Sequence, residues 1–441
     1  MWSNIWQLSW PMLLIMILNF FVGFADVYVA GFIGPEVQAA VGFVSLLFFF
    51  VIIIANAISI GTLALVSRAI GGGDFGRALQ VARQSLLFGF LIAAVLTLAG
   101  LFLSREIVAA AGFPAKIREI AETFLKIFSL ALGANYLLII SNALFRASGD
   151  VLHLLFLMFI VSAVNICGDF ALVFGWFPFP RMGYPGIAVS TAVSVILGMG
   201  LSLVLFSRTR WRSIYAGSWA LSAETVRKIF DIGWPAAMLQ IAWNAGTIIL
   251  YNILGRLGEA SITAMAAISN GLRIEALIFL PAFALNMSAS VLIGQNLGAG
   301  DPGRAERVVW RIAAAGVVTL SILALIVFLR AEAFAALVAR DPAVIAETAR
   351  YLRINMIAQP FIALSLALSG GLQGAGDTRG TMWVIFIAMW MIRLPLVYSL
   401  AVTFGFGAPG VWWSMVTSMV CQSFLMAGRF HAGKWKQLKL E

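Results

Sequence analysis

Charged residues and side chains that bind metals are scarce in this sequence. Only 11% of its 441 residues are charged, and it contains two Cys and two His. Soluble domains carry roughly a quarter charged residues, so the composition excludes an ordinary soluble protein. Cys167 and Cys421 both stand in apolar segments, where a free thiol packs as a small hydrophobe. We therefore expect no disulfide and no metal site.

The scarcity of histidine excludes further classes of protein. His153 and His431 both stand at the edges of apolar stretches, and the sequence has neither an HExxH motif nor a GxxxxGK[ST] motif. An intramembrane enzyme, the alternative from another class, would need a paired catalytic constellation. Direct use of ATP would need a phosphate-binding loop. We therefore expect neither an enzyme nor a bound cofactor.

Long apolar runs are abundant instead. The chain is 62% hydrophobic, with 41 Gly and 34 Phe. A helix needs about 20 mainly apolar residues to cross a bilayer, and these runs lack the alternation of a β-barrel strand. No basic segment and cleavage site precede the first run, so we expect it to be retained. The sequence predicts an all-α polytopic membrane protein with twelve transmembrane helices, at 10–33, 42–67, 85–103, 124–144, 154–173, 186–206, 232–254, 263–293, 312–329, 354–372, 382–404 and 410–428.

Short motifs of the first half recur in the second half, in the same order and at nearly one separation. GGGDFGRA (71–78) returns as GAGDPGRA (298–305), ASGD (147–150) as GAGD (374–377), SWP (9–11) as GWP (233–235), and YPG (184–186) as APG (408–410). Each repeat has an even number of spans, so both halves enter the membrane from the same side, as parallel repeats do. We predict an N-terminal lobe at 1–206, a cytoplasmic linker at 207–228 and a C-terminal lobe at 229–441.

The loop charges predict the orientation. If the amino terminus is cytoplasmic, most of the 29 Lys and Arg residues fall on the cytoplasmic side. The positive-inside rule therefore places both termini in the cytoplasm and the protein in the inner (plasma) membrane. The same bias accounts for the net charge of +10 without any nucleic acid. We expect a monomer whose partners are the lipid bilayer and small molecules.

Three acidic residues, Asp26, Asp169 and Glu275, stand inside predicted spans. A charged side chain at bilayer depth costs about 2.5–3.5 kcal/mol on insertion scales, so such a group faces a cavity or a partner. Asn19 precedes Asp26 by two helical turns, and Asn165 precedes Asp169 by one turn. The first and fifth spans therefore each present an amide and a carboxylate on one face, and both spans belong to the first repeat.

Each of these residues also has a purely structural interpretation. Asp26 stands near the end of its span, where it fits a helix-end residue with satisfied hydrogen bonds. Asp169 fits a hydrogen bond that only holds helices together. Glu275 fits an ion pair with Arg273, and Arg393 fits an interfacial contact beside a proline. These alternatives stay open at the level of the sequence.

Several motifs, spread over all of the chain except its termini, resemble the multidrug and toxic compound extrusion (MATE) family. They are FVGFADVYVAG (21–31), NALFRASGD (142–150), LRIEALIFLPAF (272–283), GQNLGAGDPGRAE (294–306), LQGAGD (372–377) and RLPLVYSLA (393–401). The resemblance implies two six-helix lobes that form a V around a central cavity. It also implies export of cationic or amphipathic drugs in exchange for H⁺ or Na⁺.

The resemblance also suggests a branch of the family and a set of site residues. NorM-like members carry acidic residues in the seventh and tenth spans, whereas here the seventh has only Asp231 at its edge and the tenth has none. The pattern is closer to the DinF-like branch, whose functional cluster lies in the N-terminal lobe. Carried over by motif, the coupling and substrate residues are Asp26, Asn142, Asn165, Asp169 and Thr191, supported by Asn19 and by Pro11 as a hinge.

These residues predict a proton-coupled antiporter. Two carboxylates close together in a dry lobe resist double ionisation, so the pair takes up a proton on one side and releases it on the other. Na⁺ at Asp26, Asn165, Asp169 and Thr191 is the alternative coupling ion. A lipid-linked oligosaccharide flippase is the nearest rival function, and a major facilitator a more distant one. A flippase would need embedded cations for its anionic substrate, and only Arg273 and Arg393 are embedded.

Overall fold

The structure is a computed structural model that describes residues 2–176, 178–258, 261–438 and 440, and none of these lies in a β-strand. The all-helical prediction is confirmed. The helices of the first half are α1 (Trp2–Ile33), α2 (Pro35–Gly71), α3 (Phe75–Phe102), α4 (Ser104–Ala110), α5 (Ala115–Ala147), α6 (Val151–Phe174) and α7 (Pro185–Arg208).

The second half has the same plan with more interruptions. Its helices are α8 (Ala223–Leu254), α9 (Ser261–Gly298), α10 (Pro302–Leu329), α11 (Ala331–Val338), α12 (Pro342–Met356), α13 (Gln359–Gly374), α14 (Thr378–Phe386), α15 (Leu394–Tyr398) and α16 (Gly407–His431). Two π-helical stretches, Ile387–Arg393 and Ser399–Thr403, join and extend α14 and α15, so that Thr378–Thr403 is one span.

Nine of the twelve predicted spans lie within these helices. The ranges 85–103 and 382–404 each run one residue past the helical stretch, and 354–372 crosses the break between α12 and α13. Among the described residues, ten helices are long and apolar enough to cross a membrane. The pair α12 and α13 adds an eleventh span, which is bent by 54° at the break between the two helices. The twelfth predicted span lies in α16, which is less apolar and is not among these eleven.

The repeated GxGD motif has a structural role. Gly73 and Gly300 have φ of 77° and 75°, a left-handed conformation that stops a helix at low cost. The aspartate that follows caps the next helix: Asp74 accepts from the amide of Arg77 at 2.8 Å, and Asp301 accepts from Arg304 at 2.7 Å. The motif therefore makes the tight turn between two spans in each half.

The contacts divide the chain into two compact units. The first unit is Trp10–Trp234, and the second consists of the residues up to Ser9 together with those from Pro235 onwards. The units differ from the predicted lobes in two places. The start of α1 belongs to the second unit, and the start of α8 belongs to the first. Both divisions fall in the repeated SWP and GWP motifs, beside a proline that lies inside a continuous helix.

Small residues allow close helix packing within each unit. In the first unit, Gly61 of α2 lies against the backbone of Ile229 at the start of α8, where any Cβ would collide with a carbonyl oxygen. In the second unit, Gly374 of α13 lies in the same way against the backbone of Ser290 in α9. Small residues at such crossings are typical of transmembrane helix packing.

A buried tryptophan lies in the last turn of each half of the chain, and we call these two residues the closing tryptophans. A short 3₁₀ turn follows α7 and another follows α16, at Arg210–Ile214 and Lys434–Gln437. These turns bury Trp211 and Trp435 completely, and the two residues have the same separation as the SWP and GWP motifs. Trp211 Nε1 donates to Ser148 Oγ at 3.4 Å, and Trp435 Nε1 donates to the carbonyl of Phe430 at 2.8 Å. The repeat therefore extends to the end of each half.

Candidate functional site

Asp26 of α1 and Asp169 of α6 lie side by side in the first unit. Asp169 is fully buried, and Asp26 is partly buried. The two carboxyl groups are within hydrogen-bonding reach of each other, and the Ser190 side chain of α7 lies next to Asp169. The two acids predicted from separate spans therefore meet at one place.

Three of the four carboxylate oxygens of the Asp26–Asp169 pair have no hydrogen-bond donor among the described residues. Among the described residues, neither carboxylate oxygen of Asp169 and not Oδ1 of Asp26 has a hydrogen-bond partner. The Ser190 hydroxyl donates to the backbone carbonyl of Asn165 at 2.7 Å instead. Two carboxylates only accept hydrogen bonds, so their contact becomes a hydrogen bond only when one of them carries a proton. Chemically, the pair is a receptor for a proton or a small cation.

Asn165 and Thr191 stand next to this pair and connect α6 to α7. The Asn165 amide donates to Thr191 Oγ1 at 3.1 Å, and the Thr191 hydroxyl donates to the carbonyl of Ile187 at 3.1 Å. The amide oxygen of Asn165 has no partner among the described residues. Asn142 of α5 is similar, because its amide donates only to Met158 Sδ at 3.5 Å and its oxygen is buried without a donor.

Asn19 and Pro11 are placed differently from this group. Asn19 is exposed, makes no side-chain hydrogen bond within the described chain, and lies about 10 Å along α1 from Asp26. Pro11 is buried inside α1 at the boundary between the two units. Asn19 is therefore not brought to the carboxylate pair. Pro11 lies next to the point in α1 where the chain passes from the second unit to the first, so a bend of α1 at Pro11 would change the direction of the segment that carries Asp26.

An aromatic surface on α1 was not predicted from the sequence. Phe24, Tyr28 and Phe32 follow one another at four-residue intervals on one face and are about half exposed. Their ring centroids are 5.9 Å and 4.8 Å apart. With Val27, Gly31 and Gln38, they line an open groove of about 390 Å³. We call these three aromatic residues the aromatic face.

Glu275 and Arg393 form a second charged cluster, in the second unit. Both are buried, and they interact electrostatically, with the Tyr351 hydroxyl next to Glu275. Arg393 donates through Nε to Ser418 Oγ at 2.8 Å and lies 5.0 Å from the centre of the Trp243 ring. Arg393 ends a π-helical stretch, a geometry found frequently at functional sites.

The structural alternative of an ion pair between Arg273 and Glu275 is wrong. Arg273 is exposed and lies near Tyr251, whereas Glu275 is buried beside Arg393. Residues two apart on a helix point away from each other, so the short separation in sequence does not bring the two side chains together. In the described part of the chain, no three His, Cys, Asp or Glu side chains group together as a metal site.

Buried carboxylates and two repeats in a multi-pass helical protein are typical of membrane transporters. The MatE family model matches residues 11–171 and 235–399, one segment in each repeat, and the chain belongs to this family. Members of the family are transporters and not enzymes.

The relatives support the same assignment. The chain is 28% identical over 429 residues to a probable multidrug resistance protein NorM of Thermotoga maritima, covering 96% of this chain and 90% of that protein. It is 27% identical over 432 residues to the multidrug resistance protein PmpM of Pseudomonas aeruginosa, covering 96% and 89%. A crystal structure of a variant of the Vibrio cholerae MATE transporter VcmN superposes with a TM-score of 0.90 at 20% identity, covering 98% and 96%. This structural similarity shows that the chain has the fold of a MATE transporter.

Proposed function

We propose that this protein is a multidrug efflux antiporter that exports cationic or amphipathic compounds in exchange for protons. The observation that carries the proposal is the contact between the partly buried Asp26 and the fully buried Asp169, where three carboxylate oxygens have no donor among the described residues. The names of the relatives, which are multidrug resistance proteins, support the export of drugs.

The carboxylate pair accounts for antiport by competition. When both acids are ionised, the first unit carries negative charge that attracts a cation. When protons bind, this attraction is lost, so proton and cationic compound disfavour each other's binding. A proton that enters from outside therefore promotes the release of the compound there, and loss of the proton inside restores the attraction. The hinge assigned to Pro11 supplies the movement of α1 between these states.

Na⁺ is the alternative coupling ion, and one observation favours it. Hard cations take oxygen ligands, and four of the candidate site residues have buried oxygens without a donor in the described chain: Asp26, Asn142, Asn165 and Asp169. Thr191 Oγ1, which already accepts from the Asn165 amide, is a further oxygen next to Asn165. A proton needs fewer ligands than Na⁺, because one hydrogen shared between Asp26 and Asp169 makes their contact a hydrogen bond.

The aromatic face supplies a contact for the apolar part of a compound. Phe24, Tyr28 and Phe32 belong to the same helix as Asp26 and leave about half of their surface exposed. Aromatic rings attract flat apolar groups and also cations above the ring plane. Phe24 and Tyr28 each lie two residues from Asp26, so the aromatic face is on a different side of α1 from the Asp26 side chain and would contact the apolar part of a compound separately from the carboxylate pair.

The orientation and the lobes are part of the same proposal. We infer a monomer in the inner (plasma) membrane with both termini in the cytoplasm, and lobes at 1–206 and 229–441 joined by a cytoplasmic linker at 207–228. The bias of the loop charges supports this orientation. A cysteine introduced at Ser218 should react with a membrane-impermeant thiol reagent only in inside-out vesicles, and labelling of right-side-out cells would contradict it.

Transport in proteoliposomes tests the proposal. The purified protein is reconstituted, and efflux of a fluorescent cationic dye is measured with a pH gradient and a Na⁺ gradient imposed separately. We expect dye movement with the pH gradient in Na⁺-free buffer. Dye movement with the Na⁺ gradient alone would show that Na⁺, and not the proton, is the coupling ion. No dye movement with either gradient would reject drug antiport.

A further inference from the structure

We propose that the second unit holds its own proton-exchange site, in which Glu275 exchanges a proton with water along a row of polar side chains on α12 and α13. The row consists of Thr348, Tyr351, Asn355 and Gln359. It is separate from the Asp26–Asp169 pair, because those acids belong to the first unit.

The four residues of the polar row are buried, and each has at least one polar side-chain atom without a partner among the described residues; the Asn355 amide donates to the carbonyl of Tyr351 at 3.1 Å. Each is at most 1% exposed. Within the described chain, the Thr348 and Tyr351 hydroxyls, Asn355 Oδ1 and both polar atoms of the Gln359 side chain make no hydrogen bond. About nine in ten buried polar atoms in proteins have a partner, either protein or ordered water. A succession of unpartnered polar atoms inside a membrane unit therefore indicates bound water.

The spacing makes the row continuous. Thr348, Tyr351 and Asn355 are three and four residues apart, so they share one face of α12. Gln359 opens α13 directly after the 54° bend between the two helices. Backbone groups freed at a broken transmembrane helix are tolerated where they are buried in protein or line a water-filled cavity. The break thus supports the same interpretation as the unpartnered side chains.

A matched tyrosine in the first unit shows the contrast. Tyr136 of α5 is fully buried like Tyr351, but its hydroxyl donates to the carbonyl of Val51 at 2.6 Å. A buried tyrosine hydroxyl usually finds such a partner. In the part of the chain that the structure describes, the Tyr351 hydroxyl has no partner of good hydrogen-bond geometry, although it lies next to the Glu275 carboxyl. Water between Tyr351 and its surroundings would satisfy this hydroxyl.

Glu275 is the ionisable group that lies next to the polar row, beside Tyr351. The buried carboxyl lies beside Tyr351 and feels the charge of Arg393, but no ion pair joins it to Arg393 within the described residues. Arg393 is held instead by Ser418 and by the Trp243 ring. Two further titratable groups lie near this point: Tyr251 of α8, which interacts with Tyr351, and Arg273 of α9, which interacts with Tyr251. Glu275 is therefore held close to a cation without being neutralised by direct contact.

Glu347, one turn before Tyr351, lies next to the row at its end nearest the surface. The Glu347 side chain is 15% exposed and pairs with Arg350 at 3.2 Å. It also accepts from Trp412 Nε1 at 2.8 Å, and the Trp412 ring packs edge-on against Tyr351 at 4.8 Å. A proton from bulk water would pass along hydrogen-bonded water to the Glu275 carboxylate, which becomes a carboxylic acid, and would return the same way without any redox step.

Infrared difference spectroscopy tests the exchange at Glu275. The full chain is placed in lipid nanodiscs, and spectra at high and low pH are compared. The protein carries Asp26→Asn and Asp169→Asn, so that the pair in the first unit contributes no carboxyl signal. We expect a protonated-carboxyl band that is lost with Glu275→Gln and kept with Glu332→Gln, a change at an exposed acid of the same unit. A spectrum unchanged by Glu275→Gln would overturn the proposal. The band of Glu275 does not depend on transport, so it would still be seen if the protein did not catalyse proton-driven efflux. The proton-exchange site at Glu275 and the proposed function can therefore fail independently.

Hydroxyl-radical labelling by X-ray radiolysis tests the water. Side chains that touch bound water are oxidised even when they are buried, so Tyr351 should be modified several-fold faster than Tyr136 in the unsubstituted protein. Equal protection of the two tyrosines would show a dry row and would overturn the proposal without any substitution that could affect folding.

Discussion

The Ser9 hydroxyl of α1 donates a hydrogen bond of 2.8 Å to Ser288 Oγ of α9, and both side chains are buried. This bond ties the first turns of α1 to the second unit, although the rest of α1 belongs to the first unit. Pro11 follows two residues later and removes one backbone donor from α1. The change in packing partner and the weakened helix therefore coincide.

Replacement of Pro11 should affect movement more than binding. Pro11→Ala restores a backbone hydrogen bond and stiffens α1, so we expect a lower efflux rate in proteoliposomes with substrate affinity within about twofold of the unsubstituted protein. Pro281→Ala, a proline inside α9, is the matched control. A normal rate for Pro11→Ala would remove the hinge from the mechanism.

Removal of either acid of the pair should abolish coupling and leave the fold intact. Asn is close to Asp in size, so we expect Asp26→Asn and Asp169→Asn to insert and purify normally, with proton-driven dye efflux reduced to the level of empty liposomes. Asp301→Asn should be silent, because Asn caps a helix about as well as Asp does. Normal efflux in Asp169→Asn would eliminate the site.

Binding of a cationic dye should depend on pH through the same pair. Because protonation removes negative charge, affinity should fall as the pH is lowered, by up to about tenfold per pH unit for each proton exchanged. Equilibrium binding of the dye to detergent-solubilised protein, followed by fluorescence over a pH series, measures this dependence. The double variant Asp26→Asn with Asp169→Asn should show a flat profile, and an unchanged slope would assign the competing proton to another group.

Shortening the aromatic face should weaken substrate binding. An aromatic contact is worth about 0.5–1.5 kcal/mol, so Tyr28→Ala should raise the dissociation constant of an aromatic cation by about two- to tenfold. Phe102→Ala, at an exposed aromatic residue near the end of α3, is the control. Equal effects of the two changes would indicate that the aromatic face contacts lipid and not substrate.

Loss of a closing tryptophan should destabilise the protein. Truncation of a large buried aromatic side chain to Ala costs about 3–5 kcal/mol, so Trp211→Ala should lower the melting temperature in detergent by several degrees. Trp435→Ala should act similarly, because Trp435 closes the second half in the same way. Trp219→Ala, at a residue that is 40% exposed, should shift melting much less. Equal shifts for Trp211 and Trp219 would contradict the closing role.

The spans, the repeat and the two acids of the first unit could be predicted from the sequence. Apolar length is a local property, so each span is visible in its own residues, and an ionisable side chain such as Asp169 is conspicuous within one. The aromatic face had a signal as well, since Phe24, Tyr28 and Phe32 follow the helical period. That signal is ambiguous in a chain with 34 Phe, because the period does not distinguish a lipid-facing ring from a cavity-facing one.

Which side chains meet was decided by the tertiary structure. Thr348, Asn355 and Gln359 carry no charge, and an uncharged polar residue in an apolar run is too common to mark a site until its lack of a partner is known. Glu275 shows the same limit, since its neighbour in sequence was Arg273 and its neighbour in space is Arg393. Sequence separation determines the direction of a side chain on its own helix, whereas its partner depends on how the helices pack.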